Sequence, residues 1–223
     1  SGRCTFVALY VGFACRDTQR MRLDVDIDRP APRKLQPVVD ALKKGEVAIY
    51  PTDTGYAFGC ALSSAKGITK LRQLKSIGAK SKKPLTMMVN EIVDFGTYGV
   101  MDNRVFRMVR RILPGPYTIV LKASIDVPRA MKNRDHEIGL RMPNNAVCRM
   151  LVDLVGEPLL VGSVSSADEE PDTEDPELLE RIHRGDVNFV LDAGPMWPNP
   201  STILRAGREE IEVVREGQGP IPD

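Results

Sequence analysis

Three oxygen-bearing side chains follow a hydrophobic run in the segment "IYPTDTGYAFGC", residues 49–60. Thr52, Asp53 and Thr54 interrupt apolar residues on both sides of them. Hydroxyl and carboxylate groups at the end of a core strand can bind a ligand, because open α/β sheets form their ligand sites where strands end. The same residues could instead form a turn in which Asp and Thr side chains bond their own backbone. These residues alone leave both interpretations open.

Further polar stretches follow other apolar runs. They are "PGPYT" with Thr118, "VGSVS" with Ser163 and Ser165, and "PSTI" with Ser201 and Thr202. Hydroxyl groups and backbone amides at several strand ends are the donors that an anionic, phosphate-bearing ligand needs. Each stretch taken singly also fits ordinary turn chemistry.

Cationic side chains could complete such a site. Lys70, Arg72 and Lys75 lie on one predicted helix, whereas Arg141 stands alone in the apolar run "IGLRMP". An arginine in an apolar strand costs free energy unless it is paired, so we expect Arg141 to face a carboxylate. That carboxylate could belong to the protein or to a ligand. The two lysines and Arg72 could equally cover a solvated helix face.

The residues between these stretches alternate between helical and strand patterns. Helices are predicted over 32–45, 65–78, 103–115, 144–156 and 176–185. Strands are predicted over 46–50, 84–89, 117–123, 158–164, 187–194, 201–206 and 210–217, with another around Arg141. Pro37 is expected in the first turn of its helix, and Asp102 and Asp175 are expected as N-caps. Strands separated by helices predict a single α/β domain, and the closely spaced late strands predict a mixed sheet.

Composition narrows the classes of function. A chain of 223 residues fits one substantial domain, and a net charge of +1 argues against a polycation, although a local basic patch is compatible with it. The four cysteines form no CxxC pair and the two histidines, His136 and His183, are far apart, which argues against a zinc site. Walker, GxGxxG, GxSxG and HExxH motifs are absent. The SxxK match that begins at Ser63 is interpreted as a helix cap.

Residues 1–20 are interpreted as an N-terminal extension of a domain over 21–223. Their apolar run, residues 4–15, is shorter than the ~20 residues that span a bilayer. It could be a signal-like segment, a degraded transit peptide or, as Met21 favours, an extension upstream of the natural start. Scattered thiols and the lack of an apolar span predict a cytoplasmic protein without membrane contact.

The order of these motifs resembles the YrdC/YciO family. The matching stretches are "PTDTGYAFG", a lysine-bearing helix running to "PL", "PGPYT", "GLRMP", a serine-rich strand after "PLL", "PSTI" and "VVREG". The resemblance covers roughly residues 35–219 and implies a twisted α/β fold with a large concave cavity. The best-known members are threonylcarbamoyl-AMP synthases, nucleotidyltransferases that use ATP with Mg²⁺, L-threonine and bicarbonate and begin the t6A modification of tRNA. The same activity, without a permanently bound cofactor, is implied here.

The resemblance also implies roles for the matching residues. Thr52 and Thr54 would line the threonine and phosphate region, Arg141 would hold the amino-acid carboxylate, and Lys75 would contact the triphosphate. The residues implied to bind substrate or nucleotide are Tyr56, Arg72, Thr118, Ser163, Ser165, Ser201 and Thr202.

Two motifs depart from the family pattern. The family's KxR reads Lys75-Ser76-Ile77, so its second cation is missing, and Arg72 or Lys70 would be the nearest substitutes. The family's STSAN reads "VGSVS" and lacks a threonine and the asparagine. Both changes affect the implied ATP site and place the chain nearer the YciO branch, whose members vary at these motifs.

Two other functions remain open. The protein could be a YciO-type nucleotide- or RNA-binding protein with little or no synthase activity. RNA binding would require the cations of two segments to lie on one surface. These cations are Lys70, Arg72, Lys75, Lys80, Lys82, Lys83, Arg104, Arg107, Arg110 and Arg111.

The acidic segment 169–176 is expected to be a solvated loop, with a mobile flap over the site as the alternative.

Overall fold

A mixed β-sheet runs through the centre of the molecule in the computed structural model, which describes residues 22–78, 81, 83–165, 172–207 and 210–222. The strands are β1 (Arg22–Asp24), β2 (Ala48–Thr52), β3 (Gly55–Ala61), β4 (Thr86–Met88), β5 (Gly99–Val100), β6 (Tyr117–Ala123), β7 (Glu137–Arg141), β8 (Leu159–Ser163), β9 (Phe189–Asp192), β10 (Thr202–Ala206) and β11 (Ile211–Arg215). The helices are α1 (Pro32–Lys43), α2 (Ala65–Leu74), α3 (Ile92–Tyr98), α4 (Asn103–Ile112), α5 (Ala146–Val155) and α6 (Pro176–Ile182).

The strand order shows that the sheet is neither purely parallel nor purely antiparallel. It runs β1-β9-β2-β3-β8-β4-β7-β6-β10-β11, and β5 pairs with β6 beside this path. Strands β1 and β2 are parallel to β9, β4 is parallel to β7, and β6 is parallel to β10. The remaining pairs are antiparallel. The predicted single α/β domain with a twisted mixed sheet and flanking helices is confirmed.

The five predicted helices are all present, because each has a clear apolar stripe and all but α1 begin with a side chain that caps the first turn. Asp102 and Asp175 are N-caps that accept hydrogen bonds from the backbone amides of Val105 and Glu177. The expectation for Pro37 is wrong: α1 begins with Pro32, so Pro37 lies in the second turn. Helix α3 and strands β1, β3 and β5 were not predicted. The first, second and last of these are too short to show a period, and β3 is buried along its whole length, so it shows no alternation of apolar and polar residues.

Two hydrophobic cores lie on opposite faces of the sheet. On one face, α1 and α5 pack on β2, β3, β8 and β9, with Tyr50 and Leu151 fully buried between them. On the other face, a larger core around Phe58, Leu71 and Phe95 joins the strands to α2, α3 and α4. Since side chains alternate across each strand, β2, β3, β4, β8 and β9 each contribute to both cores.

The face that carries α1 and α5 becomes polar where it continues onto β7, β6 and β10. Among the described residues, the core beneath α1 and α5 contains no member of these three strands. Arg141 follows Leu140, which pairs with Ile119, so Arg141 lies beside Thr118 on this face. We call this region, with Thr86, Thr118, Glu137, Arg141 and Arg205, the polar half-face. No described helix is both long and apolar enough to cross a membrane.

We expect the N-cap of α5 to stabilise the face on which the site is built. Asn145 is buried, and its side chain accepts a hydrogen bond of 2.9 Å from the amide of Cys148. Asn145→Ala should lower the free energy of unfolding by about 1 kcal/mol, because an amide at the helix start loses its acceptor. Asn145→Asp, which keeps an acceptor oxygen, should change the free energy of unfolding by only about a few tenths of a kcal/mol. Urea unfolding measures both, and equal losses in the two variants would contradict the capping role.

Candidate functional site

The turn between β2 and β3 combines internal hydrogen bonds with a bond to a distant arginine. Thr52 Oγ1 donates to the carbonyl of Gly55 at 2.7 Å and accepts from the amide of Thr54 at 3.1 Å. Arg141 Nη2 donates to Thr54 Oγ1 at 3.0 Å and to Asp53 Oδ1 at 2.7 Å. Thr52, Asp53, Thr54 and Arg141 therefore form one network, which we call the hairpin group.

Arg141 faces a carboxylate, as its apolar strand predicts, and that carboxylate belongs to Asp53. The two side chains are only 9% and 10% exposed. The second oxygen of Asp53 accepts a hydrogen bond from the amide of Asn144 at 3.2 Å, which ties the turn to the segment after β7. The Nε of Arg141 is buried and has no hydrogen-bond partner among the described residues. Arg141 thus keeps a donor that a ligand could use.

A second network lies where β8 ends. The side chain of Lys75, the C-cap of α2, crosses Gly162 and donates to the carbonyls of Ser163 at 2.5 Å and Ser165 at 3.2 Å. A Cβ at Gly162 would approach Lys75 Cγ to 3.3 Å, so the missing side chain leaves room for the lysine. Lys75, Ser163 and Ser165, together with Glu174, make up what we call the strand-end group.

Glu174 belongs to this group, although the sequence interpretation treated its segment as a solvated loop. Its side chain is buried, and its carboxylate accepts hydrogen bonds from Ser165 Oγ at 2.5 Å and from the amide of Tyr56. Two backbone bonds to Met196, of 2.7 and 3.0 Å, hold the segment in place. The loop expectation is therefore wrong at Glu174, while Asp172 and Thr173 are exposed and 169–171 lie outside the described residues.

Burial sets the protonation behaviour of Glu174. It raises the pKa of this carboxyl, because the charged form loses solvation, while the hydrogen bonds from Ser165 and Tyr56 and the charge of Lys75 act in the opposite direction. Among the described residues, no ion pair includes Glu174. A carboxylate is thus held in the site mainly by two neutral donors.

A third network, the C-terminal group, joins β6 to the last strand. The hydroxyls of Thr118 and Ser201 are 2.9 Å apart, and Arg215 Nη2 donates to the carbonyl of Ser201 at 2.7 Å. Burial lowers the pKa of the Arg215 guanidinium, and the charge of Arg141 lowers it further. The hairpin and C-terminal groups are therefore electrostatic neighbours. Arg215 was missed as a site residue, although "VVREG" was part of the resemblance.

Three other predicted residues make contacts that are internal to the fold. Tyr56 is almost fully buried, and its hydroxyl donates to the carbonyl of Gly194 at 2.8 Å. Thr202 is fully buried and bonds to the carbonyl of Gly219, while Arg72 Nε donates to the carbonyl of Ala130 at 3.2 Å. Their implied roles in substrate binding stay predictions, and the structure does not bring Thr202 and Arg72 into the three groups.

The β2–β3 hairpin connects the hairpin and strand-end groups. Thr54 belongs to the first, and the amide of Tyr56, two residues later, donates to Glu174 of the second. Ala57 pairs with Ser163 across β3 and β8, so Ser163, which is exposed, lies next to the hairpin. Arg141 thus contacts the turn of this hairpin, and Lys75 contacts the end of the strand beside it. Cations with hydroxyl groups close by suit the binding of anions.

Another cleft, of about 620 Å³, lies at the opposite end of β2. Its cations are already paired: Lys66 with Glu46 at 2.7 Å, and Lys70 with Asp186 at 2.5 Å. Lys70 is therefore directed away from Lys75 and does not replace the missing second cation of the KxR motif.

The cations considered for RNA binding are divided among different partners. Lys70 pairs with Asp186, and Lys75 donates to the carbonyl of Ser163 at the end of β8. On α4, the guanidinium of Arg110 lies 5.8 Å from the ring centre of Phe106. Lys80 and Lys82 fall outside the described residues, as do residues 1–20. RNA binding stays a prediction.

Comparisons with known proteins show which family and fold the chain shares. The family model Sua5_yciO_yrdC, described as "Telomere recombination", matches residues 40–217. The chain is 30% identical to YciO of Escherichia coli over 195 residues, covering 87% of this chain and 94% of that protein. The crystal structure of E. coli YciO superimposes with a TM-score of 0.83, at 29% identity and 89% and 96% coverage.

Two further relatives carry names that refer to an activity or a ligand. A putative threonylcarbamoyl-AMP synthase of Methanocaldococcus jannaschii is 29% identical over 189 residues, with 82% of this chain and 87% of that protein covered. The structure of Pyrococcus abyssi Sua5 complexed with L-threonine has a TM-score of 0.77 at 20% identity, covering 88% of this chain and 57% of that one. At that identity the likeness shows a shared fold.

The ion pair of the hairpin group should contribute strongly to stability. We expect Asp53→Ala to lower the free energy of unfolding by about 3 kcal/mol, since the buried guanidinium of Arg141 would lose its charge partner. Glu212→Ala, which removes the exposed partner of Arg205, should cost less than about 1 kcal/mol. Denaturant unfolding compares the two, and similar small losses would contradict the importance assigned to the buried pair.

Proposed function

The chain belongs to the Sua5/YciO/YrdC family, and from this premise we propose that it is a threonylcarbamoyl-AMP synthase. It would join ATP, L-threonine and bicarbonate and release pyrophosphate, as a first step towards t6A in tRNA. The observation that supports the proposal most directly is the arrangement of Arg141 and Lys75 on two sides of one hairpin. Two cations so placed suit a ligand pair with an anionic group at each end. The activity named for the M. jannaschii relative and the threonine named for P. abyssi Sua5 agree with it.

Arg141 is the proposed partner of the threonine carboxylate. Its pair with Asp53 fixes the guanidinium, and its Nε, which no described residue bonds, gives a donor to the ligand. Thr52 and Thr54 would place hydroxyls beside the amino acid, and the nearby charge of Arg215 adds to the attraction for a carboxylate. Guanidinium and hydroxyl donors held in place by the fold bind an anion without reorganising at each encounter.

Lys75 is the proposed partner of the phosphates. Its ammonium lies at the end of β8 beside the exposed Ser163, and Ser165 adds a hydroxyl there. The pair Thr118–Ser201 of the C-terminal group would lie further along the nucleotide. In this structure Lys75 donates to two carbonyl oxygens, so a phosphate would compete with them for the ammonium.

The chemistry needs positioning and charge neutralisation more than it needs a protein nucleophile. The threonine amine combines with bicarbonate to give a carbamate and water. A carbamate oxygen then attacks the α-phosphorus of ATP, and the bond to the β-phosphate oxygen breaks as pyrophosphate leaves. Phosphoryl-centred displacements of this kind are accelerated mainly by alignment and by cations near the charge that moves. Holding the carbamate in an enclosed site would protect it from water.

Magnesium would enter as part of the nucleotide substrate. The described residues contain no group of three or more His, Cys, Asp or Glu side chains arranged to hold a metal. The two carboxylates of the site, Asp53 and Glu174, are engaged by Arg141 and by Tyr56 and Ser165. The phosphates themselves supply oxygen ligands of the kind that Mg²⁺ prefers.

The proposed activity is tested directly by pyrophosphate release. We expect release from ATP only when threonine and bicarbonate are both present, because the nucleophile forms from the two together. Omitting either one supplies the control. Folded protein that releases no pyrophosphate in the complete mixture would refute the synthase activity.

Two substitutions should separate the two ends of the site. Lys75→Ala should weaken ATP binding at least about tenfold with threonine binding unchanged, since a charge-assisted contact to phosphate is lost. Arg141→Lys should weaken threonine binding by a similar factor with ATP binding unchanged, since lysine keeps the charge but loses the planar fork. Lys70→Ala, on the same helix as Lys75 but paired with Asp186, is the matched control. Calorimetry measures all three, and equal effects of the two site variants would contradict the division.

A second candidate is nucleotide binding without synthesis. The observation that favours it is the missing second cation of the KxR motif, since Lys70 is paired with Asp186 and Arg72 donates to the carbonyl of Ala130. ATP binding without threonine-dependent pyrophosphate release would identify this function.

A further inference from the structure

Glu174 lies among donors that could bind a ligand anion. One carboxylate oxygen accepts from the amide of Tyr56 and the other accepts from Ser165 Oγ at 2.5 Å. The positive charge of Lys75 acts on the same carboxylate, and the Lys75 ammonium donates to the backbone of Ser165 at 3.2 Å. A backbone amide, a hydroxyl and a nearby ammonium are the usual donors to carboxylate and phosphate oxygens alike.

The backbone at Gly55 lies very close to the Glu174 carboxylate. Gly55 has a φ of +115° and no Cβ; a Cβ there would come within 2.7 Å of Glu174 Oε2. The Glu174 backbone is paired in both directions with Met196, which fixes the point from which the side chain enters. The side chain therefore occupies a defined position in the fold and is not one of several loop arrangements.

Holding a carboxylate here is costly for the folded protein. Glu174 is 5% exposed and has no ion-pair partner within the part of the chain that the structure describes, so its charged form loses solvation that neutral hydrogen bonds recover only in part. An uncharged side chain would avoid this cost. A carboxylate in this position also repels any other anion that approaches Lys75.

We propose that the Glu174 carboxylate occupies an oxyanion site formed by the Tyr56 amide, the Ser165 hydroxyl and Lys75, and so determines which anions enter this end of the cleft. A phosphate group could use these donors only by displacing the carboxylate, and it would be repelled while the carboxylate stays. Glu174 is in this sense a specificity-determining residue that disfavours polyanions. The inference depends on the proposed function in one respect only, which is that the ligand at this end of the cleft carries phosphate groups.

Binding of inorganic pyrophosphate, measured by calorimetry without magnesium, ATP or threonine, tests the proposal. We expect Glu174→Ala to bind pyrophosphate at least about tenfold more tightly than the unaltered protein, because the donors become free and the repulsion disappears. Glu174→Gln, which keeps the shape and an acceptor for the Tyr56 amide, should show a smaller gain in the same direction. The matched control is Glu177→Gln, which removes one negative charge from an exposed position three residues away and should leave the affinity unchanged.

Each outcome of the titrations either supports the proposed role of Glu174 or contradicts it. Tighter binding by both Glu174 variants and not by the control supports the assignment. Unchanged or weaker binding by the Glu174 variants overturns it, and so does an equal gain in all three, since that would reflect net charge alone. If Glu174→Ala does not fold, the comparison of Glu174→Gln with the control carries the test.

Thermal unfolding with acetate provides a second readout, which a purely structural role would not produce. Acetate should raise the melting temperature of Glu174→Ala, because it restores a carboxylate to the vacated donors, and it should leave the unaltered protein and Glu177→Gln unchanged. No stabilisation of a folded Glu174→Ala by acetate would count against an oxyanion site. Since neither measurement involves turnover, a protein without synthase activity could still pass both tests, and an active synthase could fail them.

Discussion

A buried ion pair between Arg141 and Asp53 fixes the turn on which the whole candidate site depends. Asp53 is in a tight turn and Arg141 is at the end of a strand 88 residues later, and their contact is 2.7 Å. Because an isolated charge in this environment would be strongly destabilising, the turn and the strand end must stay together. The hydroxyls of Thr52 and Thr54 and the amide of Tyr56 are held at the sheet edge as a consequence.

The cations of the site are engaged by the protein itself before any ligand arrives. Arg141 is paired with Asp53, Lys75 donates to two carbonyls, and Arg215 donates to Ser201. Such pairing orients the donors in advance, which favours catalysis by fixed electrostatics. It also means that a ligand must compete with internal partners. The two ends differ in this competition: Arg141 keeps an Nε that bonds to none of the residues the structure describes, whereas the strand-end group contains the additional carboxylate of Glu174.

The sheet explains why the site lies where it does. Helices α1 and α5 cover one half of a sheet face with an apolar core, and the polar half-face continues onto β7, β6 and β10. Thr118 and Arg141 lie side by side on these strands, and Gly139 leaves space between Thr86 and Thr118, where a Cβ would come within 2.8 and 3.2 Å of their side chains. A rigid sheet therefore presents polar groups on one half of a face, and apolar packing on the other half holds the sheet in position.

The sequence by itself determined the helices with a clear apolar period, the mixed sheet and the need of Arg141 for a carboxylate, because each follows from local periodicity or from the cost of a single buried charge. It also indicated the hydroxyl-rich strand ends. Only the tertiary structure decided which carboxylate Arg141 meets, where Lys75 points, and that Glu174 is buried. Glu174 meets the amide of Tyr56 across 118 residues of chain, and its acidic, proline-flanked surroundings are those of a solvated loop. Contacts between such distant residues arise from strand order and register, which no local pattern encodes.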